Sequence, residues 1–127
     1  MKTCVFDIET TDLGAVGAGW MLCAVVREHH GKPVTFRYDE YHCKLGDETP
    51  MLRALLTELA KYNLCVGHNI DRFDLPYLRS RASILDVSFP INPFTFDTVT
   101  SFRRMAYRTR PNRDGRPVAS LDHVADF

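Results

Sequence analysis

The stretch Val5–Thr11 of this 127-residue chain reads VFDIETT and constrains the fold more than any other part of the sequence. Apolar residues lead into Asp7, and one isoleucine separates it from Glu9. Successive side chains on a strand point to opposite faces, so Asp7 and Glu9 would share a face. Two such carboxylates repel each other unless something positive lies between them, and a divalent cation with oxygen ligands is the usual solution.

A structural alternative exists for the same two carboxylates. One could face solvent while the other caps the turn at Thr10–Thr11. We favour the metal interpretation, because a strand this apolar is expected to be central and buried, and a buried charge must be paired or bind metal.

Length and composition indicate one globular domain with a genuine core, and they exclude little else. Lys plus Arg and Asp plus Glu both number 16, so net charge does not identify a partner. The four cysteines are widely spaced without a C-x-x-C pair, which predicts reduced residues in a cytosolic protein (Cys4, Cys23, Cys43 and Cys65). We expect no signal peptide, no membrane partner, and a cytoplasmic location, nucleoid-associated if the substrate is DNA.

The first half of the chain predicts three strands and a helix. Strands are expected at Lys2–Glu9, Trp20–Glu28 and Val34–Tyr38, and the short connections make them an antiparallel meander. A helix opens at Thr49, the expected N-cap, and should end near Tyr62–Asn63. One buried face is predicted by apolar residues at helical spacing, namely Leu52, Leu55, Leu56 and Leu59.

The second half predicts two further strands that run parallel to the first. Leu64–Gly67 is a short buried strand, and its crossover connection implies parallel pairing. Helical spacing resumes after Asp71, with Leu75, Leu78 and Ala82 on one side, and Thr95–Val99 reads as the fifth strand. A polar, arginine-rich loop is then expected at Ser101–Pro117, followed by a helix that begins at Ser120.

Two motifs give the chain a specific resemblance. FDIETT at Phe6–Thr11 and HNIDRFDLPYL at His68–Leu78 resemble the first two motifs of the DEDD superfamily of 3′–5′ exonucleases. This superfamily has a ribonuclease-H-like α/β fold and includes the proofreading domains of family B DNA polymerases. FDT at Phe96–Thr98 and SLDHVADF at Ser120–Phe127 are similar to later segments of the family.

The resemblance implies roles for individual residues. Asp7, Glu9 and Asp74 would be the catalytic carboxylates that ligate two divalent cations, Mg²⁺ or Mn²⁺. The 3′ end of single-stranded DNA or RNA would be bound by Thr10, Thr11, Leu13, Asn69 and Phe73, with Phe73 stacking on the terminal nucleotide. Asn69 would hold either the loop or the substrate by hydrogen bonds. The domain would work in, or together with, a polymerase or another replication or repair protein.

The resemblance ends at the C-terminus. The family carries a fourth Asp preceded by Tyr or His, and His123–Asp126 has a different spacing. We therefore expect residues 1–127 to be a single exonuclease domain without its C-terminal helix, which binds metal without appreciable turnover. The alternatives are a non-catalytic nucleic-acid-binding module and an endonuclease of the wider ribonuclease-H superfamily.

Other candidates have weaker support. Asp97 could support the site or cap a turn. His29–His30 and His42–Cys43 could bind metal but are more typical of solvated turns. The arginine run could follow a phosphodiester backbone or belong to a solvated loop (Arg103, Arg104, Arg108, Arg110, Arg113 and Arg116).

Overall fold

Five strands form one mixed sheet in a computed structural model that describes residues 1–105. The strands are β1 (Thr3–Thr10), β2 (Met21–Glu28), β3 (Pro33–Arg37), β4 (Leu64–Gly67) and β5 (Phe94–Asp97). Their order across the sheet is β3-β2-β1-β4-β5, so the strand that carries Asp7 and Glu9 is central. The first three strands are antiparallel, and β4 and β5 run parallel to β1. The predicted ribonuclease-H-like sheet is confirmed.

Helices connect or follow the strands of this sheet. Helix α1 (Thr49–Leu59) links β3 to β4, α2 (Leu75–Ile84) links β4 to β5, and α3 (Thr98–Met105) follows β5. A single π-helical turn, Ile70–Asp74, leads into α2. No helix in residues 1–105 has the length and apolar character needed to cross a bilayer.

The core lies on one face of the sheet. Strand residues Cys4, Phe6 and Ile8 alternate with exposed neighbours, and α1 and α2 cover them. The apolar faces predicted for both helices are buried. Their residues are Leu52, Leu55, Leu56 and Leu59 on α1, and Leu75, Leu78 and Ala82 on α2. All four cysteines are free, and the buried thiols of Cys4 and Cys65 lie 3.7 Å apart on neighbouring strands.

The opposite face is open in the described part of the chain. Val5 on β1 pairs with Val66 on β4, which pairs with Phe96 on β5, so these side chains form one row across the sheet. Phe96 and its neighbour Phe94 are 51% and 75% exposed. We call this surface the open sheet face.

Several boundaries differ from the sequence-based expectation. Thr49 is not the N-cap of α1, because Glu48 occupies that position and the Thr49 hydroxyl bonds to Asp47 Oδ1 instead. Helix α1 ends at Leu59, before Tyr62. Strand β5 ends at Asp97, because the Asp97 carboxylate accepts the Val99 N–H and starts a helix where a strand end and then a loop were predicted.

Some expectations lie outside the described residues. They are the arginines from Arg108 to Arg116, the helix from Ser120 and the spacing from His123 to Asp126. The histidines His29, His30 and His42 are exposed, in line with solvated turns.

A buried ion pair connects the two helices to the sheet. Arg81 on α2 donates to both Glu48 carboxylate oxygens, with a shortest distance of 2.6 Å. The same guanidinium donates to the carbonyls of Ala15 and Gly46, and Glu48 Oε2 accepts the Met21 N–H at 2.6 Å. Both side chains are almost completely inaccessible.

Replacing one partner of this pair should strongly destabilise the fold. Glu48→Gln leaves a buried guanidinium without its counter-charge, so we expect the free energy of unfolding to fall by about 3–5 kcal/mol in urea denaturation. The control is Arg37→Gln, which removes an exposed ion pair with Asp39 and should cost about 0–1 kcal/mol. Equal effects of the two substitutions would contradict this assignment.

Candidate active site

Asp7 and Glu9 lie on the same face of β1, as the alternation of side chains predicts. The expectation that they are buried is wrong, because Phe6 and Ile8 occupy the core face and the carboxylates occupy the open sheet face. Cys23 on β2 is the residue paired with Glu9 on β1. The pKa of the Cys23 thiol is raised by its partial burial and by the charges of Glu9 and Asp7. The two carboxylates therefore project from a central strand into solvent.

Asp74 is the buried carboxylate of the site. Its side chain is only 3% exposed, and Oδ2 accepts the Ile8 N–H at 3.2 Å. The pairing of β1 with β4 ends at Val5–Val66, so the Ile8 N–H takes this side chain as its partner. The contact holds Asp74 against the strand segment that carries Asp7 and Glu9.

Burial raises the pKa of Asp74 to about 7, and the negative charge of Asp7 adds to this effect. The Ile8 N–H opposes it by stabilising the ionised form. No lysine or arginine of residues 1–105 forms an ion pair with Asp7, Glu9 or Asp74. A shifted carboxyl next to a second one, without a neutralising cation, is typical of a functional site.

The loop before Asp74 is shaped by a second buried aspartate. Asp97 at the end of β5 accepts the N–H groups of Asn69 at 2.9 Å, Asp71 at 3.0 Å and Val99 at 2.9 Å. Asn69 has a positive φ of 64°, a conformation that asparagine tolerates better than most residues. Its carbonyl accepts the Phe73 N–H, so the described contacts of Asn69 hold the loop through its backbone.

The turn after β1 is closed by the predicted threonines. The Thr11 hydroxyl accepts the Trp20 N–H at 3.0 Å, and the Thr10 hydroxyl donates to the Asp12 carbonyl at 2.8 Å. Leu13 lies at the tip of this turn and is 82% exposed. These hydroxyl contacts fix the shape of the turn.

Leu13 and Phe73 meet at a common cavity. The cavity has a volume of about 310 Å³, and we call it the Phe73 cavity. One wall is the turn after β1 and the other is the start of α2, with Leu13, Gly14, Ala15, Val16, Arg72, Phe73, Pro76, Tyr77 and Ser80 as its lining. Phe73 is half-buried, with its ring 5.4 Å from that of Tyr77.

The carboxylates do not form a preassembled metal centre in the described part of the chain. No group of three His, Cys, Asp or Glu side chains in residues 1–105 has a geometry that could hold an ion as it stands. Their chemistry nevertheless fits one, because Asp7, Glu9 and Asp74 are hard oxygen donors without a neutralising ion pair.

Two structural residues escaped the sequence analysis. The Glu48–Arg81 pair was missed, although Arg81 follows Leu78 by three positions and so lies on the buried face of α2. An arginine on an apolar helix face signals a buried acidic partner. Asp97 was expected to support the site or cap a turn, and it does both.

The sequence matches the family model described as DNA polymerase family B, exonuclease domain, over residues 27–113, which is more than half of the chain. The chain belongs to this exonuclease-domain family. The matched residues include Asn69, Phe73 and Asp74, whereas Asp7 and Glu9 precede them. Exonuclease domains of this family are nucleases, and they generally use divalent metal ions. No curated protein matches the sequence.

Solved structures share the fold of this exonuclease domain. The family B DNA polymerase of the archaeon Pyrobaculum calidifontis superposes with a TM-score of 0.71 at 19% identity, over 98% of this chain and 18% of the polymerase. A product-bound exonuclease I gives 0.74 at 15% identity, over 98% of this chain and 37% of its own. E. coli exonuclease I with a dT13 oligonucleotide gives 0.73 at 17%, over 98% and 35%. The chain thus spans well under half of each protein.

Ionisation of Asp74 should make the stability of the metal-free domain depend on pH. The pKa is raised in the fold, so stability is greatest below the unfolded-state value and is lost as pH rises through about 7. Asp74→Asn cannot ionise, so its melting temperature should exceed that of the wild type at pH 8.5 and approach it near pH 4. Thermal melts in EDTA across this range measure the difference.

Two further variants make the pH experiment specific. Asp71→Asn changes an exposed carboxyl in the same turn and should not reproduce the pH-dependent gain. In an Asp7→Asn background the midpoint should move to lower pH, because the charge of Asp7 contributes to the raised pKa of Asp74. A gain for Asp74→Asn that stays constant with pH would exclude this explanation.

Proposed function

We propose that the domain is a metal-dependent 3′–5′ exonuclease that hydrolyses phosphodiester bonds at the 3′ ends of single-stranded nucleic acid. The observation that carries this proposal is the position of Asp74, buried against Ile8 and beside Asp7, at the side of a cavity lined by Phe73 and Leu13. Carboxylates adjacent to an aromatic cavity suit an enzyme that holds a nucleotide end and cuts the bond behind it. Family membership supports the same class of reaction.

In this proposal Asp7, Glu9 and Asp74 hold two divalent cations, Mg²⁺ or Mn²⁺. When bound, the cations supply activated water and neutralise the charge that develops on the phosphodiester oxygens. The protein contributes a raised Asp74 pKa, so protons compete with metal below neutral pH and metal affinity rises as Asp74 ionises. Strand β1 carries Asp7 and Glu9, and the loop held by Asp97 leads to Asp74 in the π-helical turn after the neighbouring strand β4.

The Phe73 cavity would receive the terminal nucleotide. Leu13 offers an exposed apolar side chain from one wall and Phe73 a half-buried ring from the other. Stacking against an aromatic ring tolerates any base, which suits an enzyme that removes nucleotides in succession. The oligonucleotide and product complexes of exonuclease I, a protein of the same fold, are consistent with this use of the site.

A non-catalytic nucleic-acid-binding module is the second candidate. It is favoured by the lack of a preassembled three-ligand cluster in residues 1–105. Such a module would bind single strands without a metal requirement, whereas the nuclease would bind Mn²⁺ through its carboxylates. An endonuclease is a third possibility, and a substrate with a blocked 3′ end would still be cut by it.

Metal binding should require the carboxylates of β1. We expect Mn²⁺ to stabilise the wild-type chain in calorimetric and thermal titrations, and Asp7→Ala to abolish this metal binding. In a chain that also carries the family's C-terminal motif, Asp7→Ala should abolish metal-dependent mononucleotide release. In EDTA the same variant should be at least as stable as the wild type, because it removes repulsion from Asp74. The control is Asp39→Ala, an exposed carboxylate at the end of β3. Unchanged Mn²⁺ affinity in Asp7→Ala would contradict the proposed metal site.

Phe73→Ala should weaken the binding of a 3′ end. Removal of one stacked ring costs about 1–3 kcal/mol, which anisotropy with a 5′-labelled single strand in Ca²⁺ can detect. The control is Phe89→Ala, a partly buried aromatic residue that stacks on Arg79 outside the cavity lining. If Phe73→Ala lowers stability as much as Phe89→Ala does, and the folded protein keeps its affinity for the 3′ end, Phe73 is a core residue only.

A further inference from the structure

Three arginines surround a second cleft beside the Phe73 cavity. The cleft has a volume of about 230 Å³ and is lined by Asn69, Arg72, Val99, Thr100, Arg103 and Arg104. We call it the arginine cleft. Its cations come from two elements, because Arg72 belongs to the π-helical turn and Arg103 and Arg104 to the last turn of α3.

The arginines of this cleft have no protein partner among the described residues. All three side chains are exposed, and their guanidinium groups form no hydrogen bond or ion pair within residues 1–105. Other arginines of the chain are engaged, such as Arg37 with Asp39 and Arg81 with Glu48. Three guanidinium groups that have no partner in the described part of the chain surround one concavity, and together they produce a positive potential that favours an anion.

The nearest acidic groups do not neutralise the cleft. Asp97 lies below it, but its carboxylate is buried and accepts three backbone N–H groups. Asp71 is next to Arg72 in sequence, yet it is exposed and forms no ion pair with it. The buried carboxylate near the cleft is therefore already hydrogen-bonded to the backbone, and the arginine side chains are exposed to solvent.

Arg72 also lines the Phe73 cavity, so the two spaces adjoin at this side chain. A strand whose terminal base lies in the Phe73 cavity would have its adjacent backbone near Arg72. The guanidinium fork matches the oxygens of a phosphate group, which makes arginine the usual ligand for such a group. A nucleic-acid strand could therefore run from the Phe73 cavity past Arg72 into the arginine cleft.

We propose that the arginine cleft binds a backbone phosphodiester of the single strand, on the 5′ side of the nucleotide in the Phe73 cavity. This inference rests on the proposed function, because it assumes that a 3′ end occupies that cavity. The cleft adds affinity without reading sequence, since phosphate contacts position a nucleic acid but carry no base information. It would hold the strand after the terminal nucleotide has left.

The test compares single-strand binding by wild type and variants. Arg103→Gln with Arg104→Gln, and Arg72→Gln separately, should weaken binding of a 5′-labelled oligonucleotide roughly tenfold, measured by anisotropy in Ca²⁺. The slope of log affinity against log salt should fall by about 0.7 for each phosphate that the variant no longer neutralises. The matched control is Arg53→Gln, an exposed arginine on α1, which should change neither quantity.

A substitution in the substrate locates the contact. A neutral methylphosphonate placed at successive positions should weaken wild-type binding at one internal position, and the Arg103→Gln/Arg104→Gln variant should lose that sensitivity. Arg103→Lys with Arg104→Lys keeps the charge, so it should retain the salt slope and verify that the fold is intact. Inorganic phosphate, the other source of this chemistry, should compete poorly.

The outcomes separate this inference from the proposed function. If the wild type binds strands and Mn²⁺ while the arginine variants match it in affinity and slope, the arginine cleft assignment is wrong and the nuclease proposal stands. A wild type that binds no strand at all defeats both. Strong competition by inorganic phosphate without a methylphosphonate effect would overturn the strand contact.

Discussion

The ion pair between Glu48 and Arg81 holds together the parts of the fold that form the site. Arg81 belongs to α2, and its guanidinium reaches the carbonyl of Ala15 in the turn after β1. The two walls of the Phe73 cavity are that turn and the first turns of α2. The width of the cavity therefore depends on a buried charge pair that lies outside its lining. Because breaking such a pair leaves an uncompensated charge, the walls of the Phe73 cavity and the global fold share one source of stability.

Three aspartates illustrate how environment assigns different properties to one residue type, namely Asp7 on β1, Asp74 in the π-helical turn after β4 and Asp97 at the end of β5. Asp97 is buried, and three backbone N–H groups surround its carboxylate, so it shapes the loop. Asp74 is equally buried, and burial together with the charge of Asp7 raises its pKa to about 7 although the Ile8 N–H stabilises its ionised form. Asp7 is exposed on the open sheet face. In the proposed metal site, Asp97 would support the loop, Asp74 would make metal affinity depend on pH, and Asp7 would supply a ligand.

The sequence predicted what short-range periodicity controls. The alternation in β1 places Asp7 and Glu9 together, and helical spacing identifies the buried leucines of α1. Prediction from the sequence failed where the environment of a side chain depends on a partner that is distant in the chain. Asp97 holds the loop before Asp74 because its carboxylate accepts N–H groups 28 and 26 positions earlier, and Arg81 is buried because it pairs with Glu48, 33 residues away. The solvent exposure of Asp7 was also misjudged, because apolar residues on one face of a strand do not report on the other.

The open sheet face has a consequence for the surroundings of the proposed metal ligands. The row of Val5, Val66 and Phe96 is contiguous with the face that carries Asp7 and Glu9, so any element that covers the row passes beside the carboxylates. Apolar burial would draw that element in, at about 25 cal/mol per Å². The same packing would expel water from around the ligands and strengthen their field on a cation. If the carboxylates hold cations as proposed, burial of this apolar row and tighter metal binding would be coupled.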